Sequence, residues 1–368
     1  MAKNKRSPFS ISEKSMEFLR TYMNTASPVG AESNGQKVWL NYIKSYVTDT
    51  FTDPYGTAVG VINPNKNFKV VIEAHADEIS WFVNYITPEG FIYLKRNGGV
   101  DHQIAPSHRV IIHGKKGPVK AVFGWPAIHT RHGNNGDKEQ QPKVENLFLD
   151  CGARNKKETE QLGIHIGAVV TYTEGFDDLA YGNLVGRAFD NRIGGFMIAE
   201  VARLLKENKK SIPYSLFIVN AVQEEIGLRG AEMIARRIKP DAAIITDVTH
   251  DTTTPMINKN IQGDCSCGKG PVLTYGPAVH NKLLGLIENV AAKNKISVQL
   301  QAVSRSTGTD TDSFAYANDG CPSALISIPL RYMHTTVEML HKDDVENTIR
   351  LIYESVLALT PKTNLSYF

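Results

Sequence analysis

Glu224 and Glu225 stand side by side in VQEEIG, directly after the apolar run YSLFIVNAV. Adjacent carboxylates repel, and neither is cheaply buried without a positive partner. Other ionisable residues follow other apolar runs in the same way. VVIEA leads into His75, Ala76 and Asp77; AAIIT leads into Asp247; and ALISIPL is followed, after three residues, by His334. Asp190, in GRAFDNR, stands just ahead of a helical pattern whose N-terminus favours an anion. In open α/β sheets, ligands bind beyond the carboxyl ends of the strands, so these residues are placed to share one rim.

Singly, each has an ordinary explanation: His75 as a satisfied core histidine, Asp190 as a helix N-cap, Asp247 as a turn former, His334 as a loop residue. Together they form a poor unpaired cluster but a good set of nitrogen and oxygen ligands for two divalent metal ions. Such a centre needs one bridging carboxylate. Asp77 is placed to accept the other N–H of a ligating His75, its alternative being a strand-end turn former. Side chains diverge at a strand end, so of Glu224 and Glu225 one can bind metal while the other serves as general base for a metal-activated water. A glycoside hydrolase is the rival enzyme reading of paired glutamates. Its two carboxyls must flank a sugar at least ~5 Å apart, which adjacent residues do poorly, and the histidines would have no role. A non-catalytic protein of the same fold would need neither ligands nor base.

Alternating elements are expected to carry these residues. Helical periodicity covers Ser12 to Met23, Glu32 to Val47, Asn191 to Lys206, Arg229 to Ile238, Asn281 to Lys293 and Asp343 to Leu359. Strands are expected at FKVVIEA, Ser215 to Val222, Ala242 to Thr246, Val298 to Ala302 and Ala324 to Ile328. The pattern predicts a three-layer α/β domain with a mostly parallel sheet, formed by residues 1–80 and 182–368. Residues 81–181 differ in texture. Their short alternating segments, broken by Gly and Pro, predict an inserted small β barrel or sandwich, helical only at NKKETEQLG. Within it, RHGNNGDKEQQP reads as a mobile loop.

Composition narrows the class. With 41 basic and 38 acidic residues, a formal charge of +3 predicts neither a nucleic-acid nor a membrane partner. Neither a signal-like apolar core nor a bilayer-length segment is present, which leads us to expect a soluble, cytoplasmic protein. Cys151, Cys265, Cys267 and Cys321 read as structural thiols.

The motifs AHADEIS, GRAFDNRIGG, VNAVQEEIGLRGA, ITDVTH, GKGPVLTYGP, TGTDTDSF and YMHTTVE occur in this order. Their combination resembles the cobalt- or zinc-dependent aminopeptidases of metallopeptidase family forty-two, over nearly the whole chain. That family includes glutamyl aminopeptidases, the tetrahedral TET particles and members named cellulase M or endoglucanase. The resemblance implies two divalent ions per subunit, zinc or cobalt. His75, Asp190 and Asp247 would hold one; Asp190, Glu225 and His334 would hold the other. It further implies Glu224 as general base, Asp77 as the aspartate behind the ligand histidine, and oligopeptides as substrates. The inserted block would mediate dimerisation, with dimers able to build a twelve-subunit homo-oligomer. Ala74 and Ser80 stand where the family usually has glycine, and Thr335 and Thr336 where Ser-Pro is common; none is a ligand. His102, His108, His113, His129 and His165 read as surface or packing residues. His132 is a candidate to reach a neighbouring subunit's site, His250 to line the substrate cavity, and Ser306 to Phe314 to lie near substrate or form a polar turn.

Overall fold

The computed structural model describes residues 9–131 and 141–368. The stretch 131–142 therefore lies mostly outside the described residues, and His132 with it.

Strands are numbered in chain order. The first three, β1 (Asp49–Thr52), β2 (Ala58–Ile62) and β3 (Lys69–His75), belong to the main sheet. The chain then builds a closed barrel from β4 (Ser80–Ile86), β5 (Ile92–Asn97), β6 (Arg109–Gly114), β7 (Gly117–Gly124), β8 (Phe148–Asp150) and β9 (Val169–Tyr172). It returns through β10 (Asp177–Asp178) and β11 (Asn183–Gly186) to β12 (Ser215–Ala221), β13 (Ala242–His250), β14 (Val272–Tyr275), β15 (Gln299–Ala302), β16 (Ser323–Leu330) and β17 (Glu338–His341).

The main sheet has the order β1-β2-β12-β3-β13-β16-β14-β15. Its four central strands, β12, β3, β13 and β16, are mutually parallel. They are buried on both faces, which explains why their sequences are nearly continuous apolar runs rather than alternating ones. In the barrel, by contrast, β7 alternates exposed and buried positions, and Trp81, Val83, Leu94, Ile112, Phe123 and Val170 fill a core separate from that of the sheet.

The helix Phe189–Glu207 is buried from Phe189 to Leu205 because other helices cover it: Glu13–Asn24, Ser33–Ile43 and Lys342–Ala358 all pack on it. It lies close on β3. A Cβ at Gly194 would fall 2.8 Å from Cβ of Ala74, so glycine is needed for this approach. Strand alternation then turns Glu73 and His75 to the opposite face, toward the helices Arg229–Ile238 and Asp310–Ala315. The sheet is thus sandwiched between two helical layers, as the alternating sequence pattern predicts.

Most boundaries shift by one or two residues, and two shift further. The second helix ends at Ile43, short of Val47, and β13 continues to His250 instead of stopping at Thr246. The extension has a partner: Asp247 to His250 pair in register with Ser327 to Leu330 of β16. Asp247 therefore sits within its strand, held by its pairing with β16. A helix at Lys156–Gln161, capped by Asn155, fulfils the helical reading of NKKETEQLG. The four cysteines are all free. Among the described residues no helix is long and apolar enough to cross a membrane.

Candidate metal centre

The carboxyl ends of the four central strands bring the candidate residues together. His75 is the last residue of β3, and its Nε2 lies 3.2 Å from Oδ1 of Asp190 and 3.9 Å from Oδ1 of Asp247. The other carboxylate oxygen of Asp190, Oδ2, lies 3.2 Å from Nε2 of His334, which is 3.4 Å from Oε2 of Glu225. Two clusters result, His75–Asp190–Asp247 and Asp190–Glu225–His334, each with ligand atoms within 4.8 Å of one another. Asp190 presents one oxygen to each. The peptide after it is cis, and Asp190 and Asn191 depart from helical dihedrals at the start of the helix Phe189–Glu207.

Glu224 and Glu225 do not diverge by strand alternation as the sequence suggests. β12 ends at Ala221, Gln223 adopts a left-handed conformation, and Glu224–Ile226 form a single 3-10 turn. Asp77 holds this turn. Its Oδ1 accepts the Glu224 N–H at 3.0 Å and its Oδ2 the Glu225 N–H at 3.1 Å, while Oδ1 also lies 3.3 Å from Nδ1 of His75. One carboxylate thus orients a histidine and the backbone of both glutamates.

A second carboxylate, Glu338 on β17, does the same on the other side. Oε2 accepts the Asp190 N–H at 3.0 Å and Oε1 the His334 N–H at 2.8 Å. His334 has positive φ, and its Nδ1 donates to the carbonyl of Gly99 in the barrel, 3.1 Å away. That bond fixes the ring so that Nε2 faces Asp190 and Glu225. A third group links the HADE and RAFDNR segments: Glu78 pairs closely with Arg187 and lies 3.7 Å from Arg192.

Electrostatics set the site apart from ordinary structural ion pairs. Burial pushes Glu224 up to about 10 and Asp247 up to about 7, and neighbouring carboxylates add to both. Burial would raise Asp190 too, but the hydrogen bonds and charges of His334 and His75 outweigh it and hold it well below its ordinary value. Behind His75, the fully buried Glu73 and Asp310 meet carboxyl to carboxyl; burial pushes Glu73 up to about 8 and Asp310 well above its usual range. So many converging carboxylates are costly without added positive charge. Glu225 Oε1 and His75 Nδ1 are buried without a hydrogen bond of good geometry. This all-oxygen-and-imidazole donor set fits divalent transition-metal ions.

Above the centre opens a cavity of about 760 Å³. His250, Ser306 to Thr309 and Asp312 line it, so the polar stretch 306–314 faces the cavity over part of its length. Three histidines of the inserted block lie elsewhere: His113 meets the Thr171 hydroxyl at 2.9 Å, His108 meets Glu174 at 2.7 Å, and His102 lines a separate hollow of the barrel. Glu338, Gly99, Glu78, Arg187 and Arg192 escaped the sequence reading. Glu338 and Glu78 lie inside the YMHTTVE and AHADEIS motifs, and that proximity was the available signal.

The M42 glutamyl aminopeptidase family matches residues 56–351 of the chain. The lysyl aminopeptidase of Pyrococcus furiosus is 33% identical, over 94% of this chain and 97% of its own. The crystal structure of a TET aminopeptidase from a marine-sediment Thaumarchaeota archaeon superimposes with a TM-score of 0.90 at 29% identity, covering 96% of this chain and 99% of the other. The TET1 peptidase of Pyrococcus horikoshii, described as assembling into a tetrahedron or a large octahedral shell, gives 0.82 at 25% identity over 94% and 99% of the two chains.

Proposed function

The chain belongs to the M42 glutamyl aminopeptidase family and is a peptide-bond hydrolase, and from that premise we propose that it is a dinuclear metallo-aminopeptidase that trims oligopeptides from the amino terminus. The observation that carries the proposal is Asp190, whose two carboxylate oxygens each lie 3.2 Å from Nε2 of a different histidine. His75, Asp190 and Asp247 would hold one divalent ion; Asp190, Glu225 and His334 would hold the second. Zinc or cobalt ions there would supply Lewis-acid polarisation of the peptide carbonyl and a water pKa lowered towards ~7.

The protein's own groups do the rest. Glu224 lines the cavity, its carboxylate accepting no backbone N–H among the described residues, and it serves as the base that takes the proton of the attacking water and passes it to the leaving nitrogen. Asp77 and Glu338 act through other groups. Between them they hold four backbone N–H groups, and Asp77 also lies against the His75 imidazole, which fixes the ligands before substrate arrives. A sugar-cleaving site is not favoured, since Glu224 and Glu225 project from one 3-10 turn.

We propose further that residues 81–181 form a dimerisation domain and that the protein is a homo-oligomer. The TET relatives motivate this reading, and the barrel offers an exposed aromatic edge, with Tyr85 50% and Phe91 39% exposed, beside Tyr93 and Phe148.

The test is a peptide assayed with a free and with an N-acetylated amino terminus, products identified by mass spectrometry. The α-amine has a reference pKa near ~8 and can coordinate a metal at neutral pH, whereas an amide nitrogen scarcely can. Losing that contact should cost at least ~3 kcal/mol, more than a hundredfold in rate. Chelation should abolish turnover of the free peptide and zinc or cobalt should restore it. Equal cleavage of both peptides, or cuts within the blocked one, would overturn the aminopeptidase reading.

A further inference from the structure

The cavity wall indicates which amino-terminal side chains the site accepts, an inference that rests on the aminopeptidase reading. Among the described residues no lysine or arginine lines it. Its ionisable groups are Glu224, the candidate ligands Asp190, Glu225, Asp247 and His334, and only two others, His250 and Asp312.

Neither of those two supplies a positive charge to pair with an acidic side chain. The Asp312 carboxylate already accepts the Thr307 N–H at 3.1 and 3.0 Å and the Gly308 N–H at 3.2 Å. Burial pushes the His250 imidazole below its ordinary value, which leaves it neutral at pH 7. The most prominent neutral polar group is also engaged: Gln301 accepts from the Thr249 hydroxyl at 2.9 Å and donates to the Thr274 hydroxyl at 2.8 Å. The polar Thr249, Gln262, Ser306, Thr307 and Thr309 share the wall with an apolar stretch formed by Leu228, Val248, Ile261, Ala302, Val303 and Met333. An adjoining hollow of about 400 Å³, sharing His250, Ile261 and Gln262, continues this character through Met256 and Ile257.

An acidic side chain entering such a cavity loses hydration and gains no cation to pair with, while an apolar one gains by leaving water. We infer that the enzyme prefers a neutral apolar amino-terminal residue, such as leucine or methionine, and discriminates against glutamate. The preference holds whichever wall the side chain lies against, because among the described residues no wall presents a lysine or arginine. It separates this chain from relatives whose names specify glutamyl cleavage.

The experiment is a panel of leucyl, methionyl, lysyl and glutamyl chromogenic amides assayed with the metal-loaded enzyme. The leucyl or methionyl amide should exceed the glutamyl one at least tenfold in kcat/KM. A glutamyl amide within tenfold of the best neutral one overturns this inference and leaves the aminopeptidase reading standing. Release from no member of the panel, and from no free-amino peptide, overturns both. Gln301→Glu adds a second measurement. The carboxylate can still accept from Thr249 and Thr274, and it places a negative charge in the wall. The lysyl-to-leucyl ratio should rise at least tenfold in this variant; an unchanged ratio in a folded variant would mean that this wall does not contact the amino-terminal side chain.

Discussion

Replacing Asp77 by Asn tests the arrangement of the centre more sharply than removing a ligand would. The carboxylate uses both oxygens, Oδ1 for the Glu224 N–H and the nearby His75 Nδ1, Oδ2 for the Glu225 N–H. An asparagine has one acceptor oxygen and one NH2 group. Whichever way the amide is turned, a backbone N–H of the Glu224–Glu225 turn faces a donor. Hydrogen bonds to a charged group contribute about 1.5–3 kcal/mol each, so losing one outright and weakening the others should cost about 2–4 kcal/mol in the transition state. That corresponds to a fall of ~30- to 1000-fold in kcat/KM. Loss of the group behind His75 should also weaken metal binding by ~10- to 100-fold. The assay is kcat/KM on an aminoacyl chromogenic amide over a range of zinc or cobalt concentrations, with metal affinity measured by chelator competition and folding checked by circular dichroism. If Asp77 only oriented His75, saturating metal would restore the rate. Because it also holds the turn that carries the proposed base, the loss should persist at saturation. Activity and metal affinity both within threefold of wild type would reduce Asp77 to a turn former.

Three further outcomes are expected. Glu224→Gln should abolish turnover, by more than the ~10²–10⁴ of acid–base catalysis if the water is also misplaced, while elemental analysis finds the metal content unchanged. Asp190→Ala should weaken both metal sites in a calorimetric titration and Glu225→Ala mainly one; single-site losses in both variants would contradict the bridging assignment. Gly99→Ala should lower metal affinity at the His334 site at least tenfold without unfolding the protein, since the added Cβ would sit 2.8 Å from Nδ1 of His334; unaltered binding would show that the barrel does not position this histidine.

The three-layer fold and the candidate centre were legible in the sequence to different depths, for a physical reason. Central parallel strands are buried on both faces, so they announce themselves as apolar runs such as KVVIEAH and SALISIPL, and the ionisable residue after each run marks the rim. Residue type alone is informative there, because His75, Asp190, Asp247 and His334 have few cheap reasons to gather at one edge of a core. What depends on contact between distant segments could not be read in this way. That Asp77 would meet the amides of Glu224 and Glu225 follows from β3 and β12 being parallel neighbours, a pairing set by the fold. The turn at Gln223, rather than strand alternation, aims the two glutamates. Glu338 reaches Asp190 because β17 pairs with β11, which leads into that residue, across a chain separation of 148 positions. His334 receives its orienting carbonyl from Gly99, in a barrel that the sequence describes only as a separate β-rich block. Hydrogen bonds of this kind need an acceptor at about 3 Å with the right direction, and only packing the sheet, the turns and the barrel together decides which distant groups meet that condition.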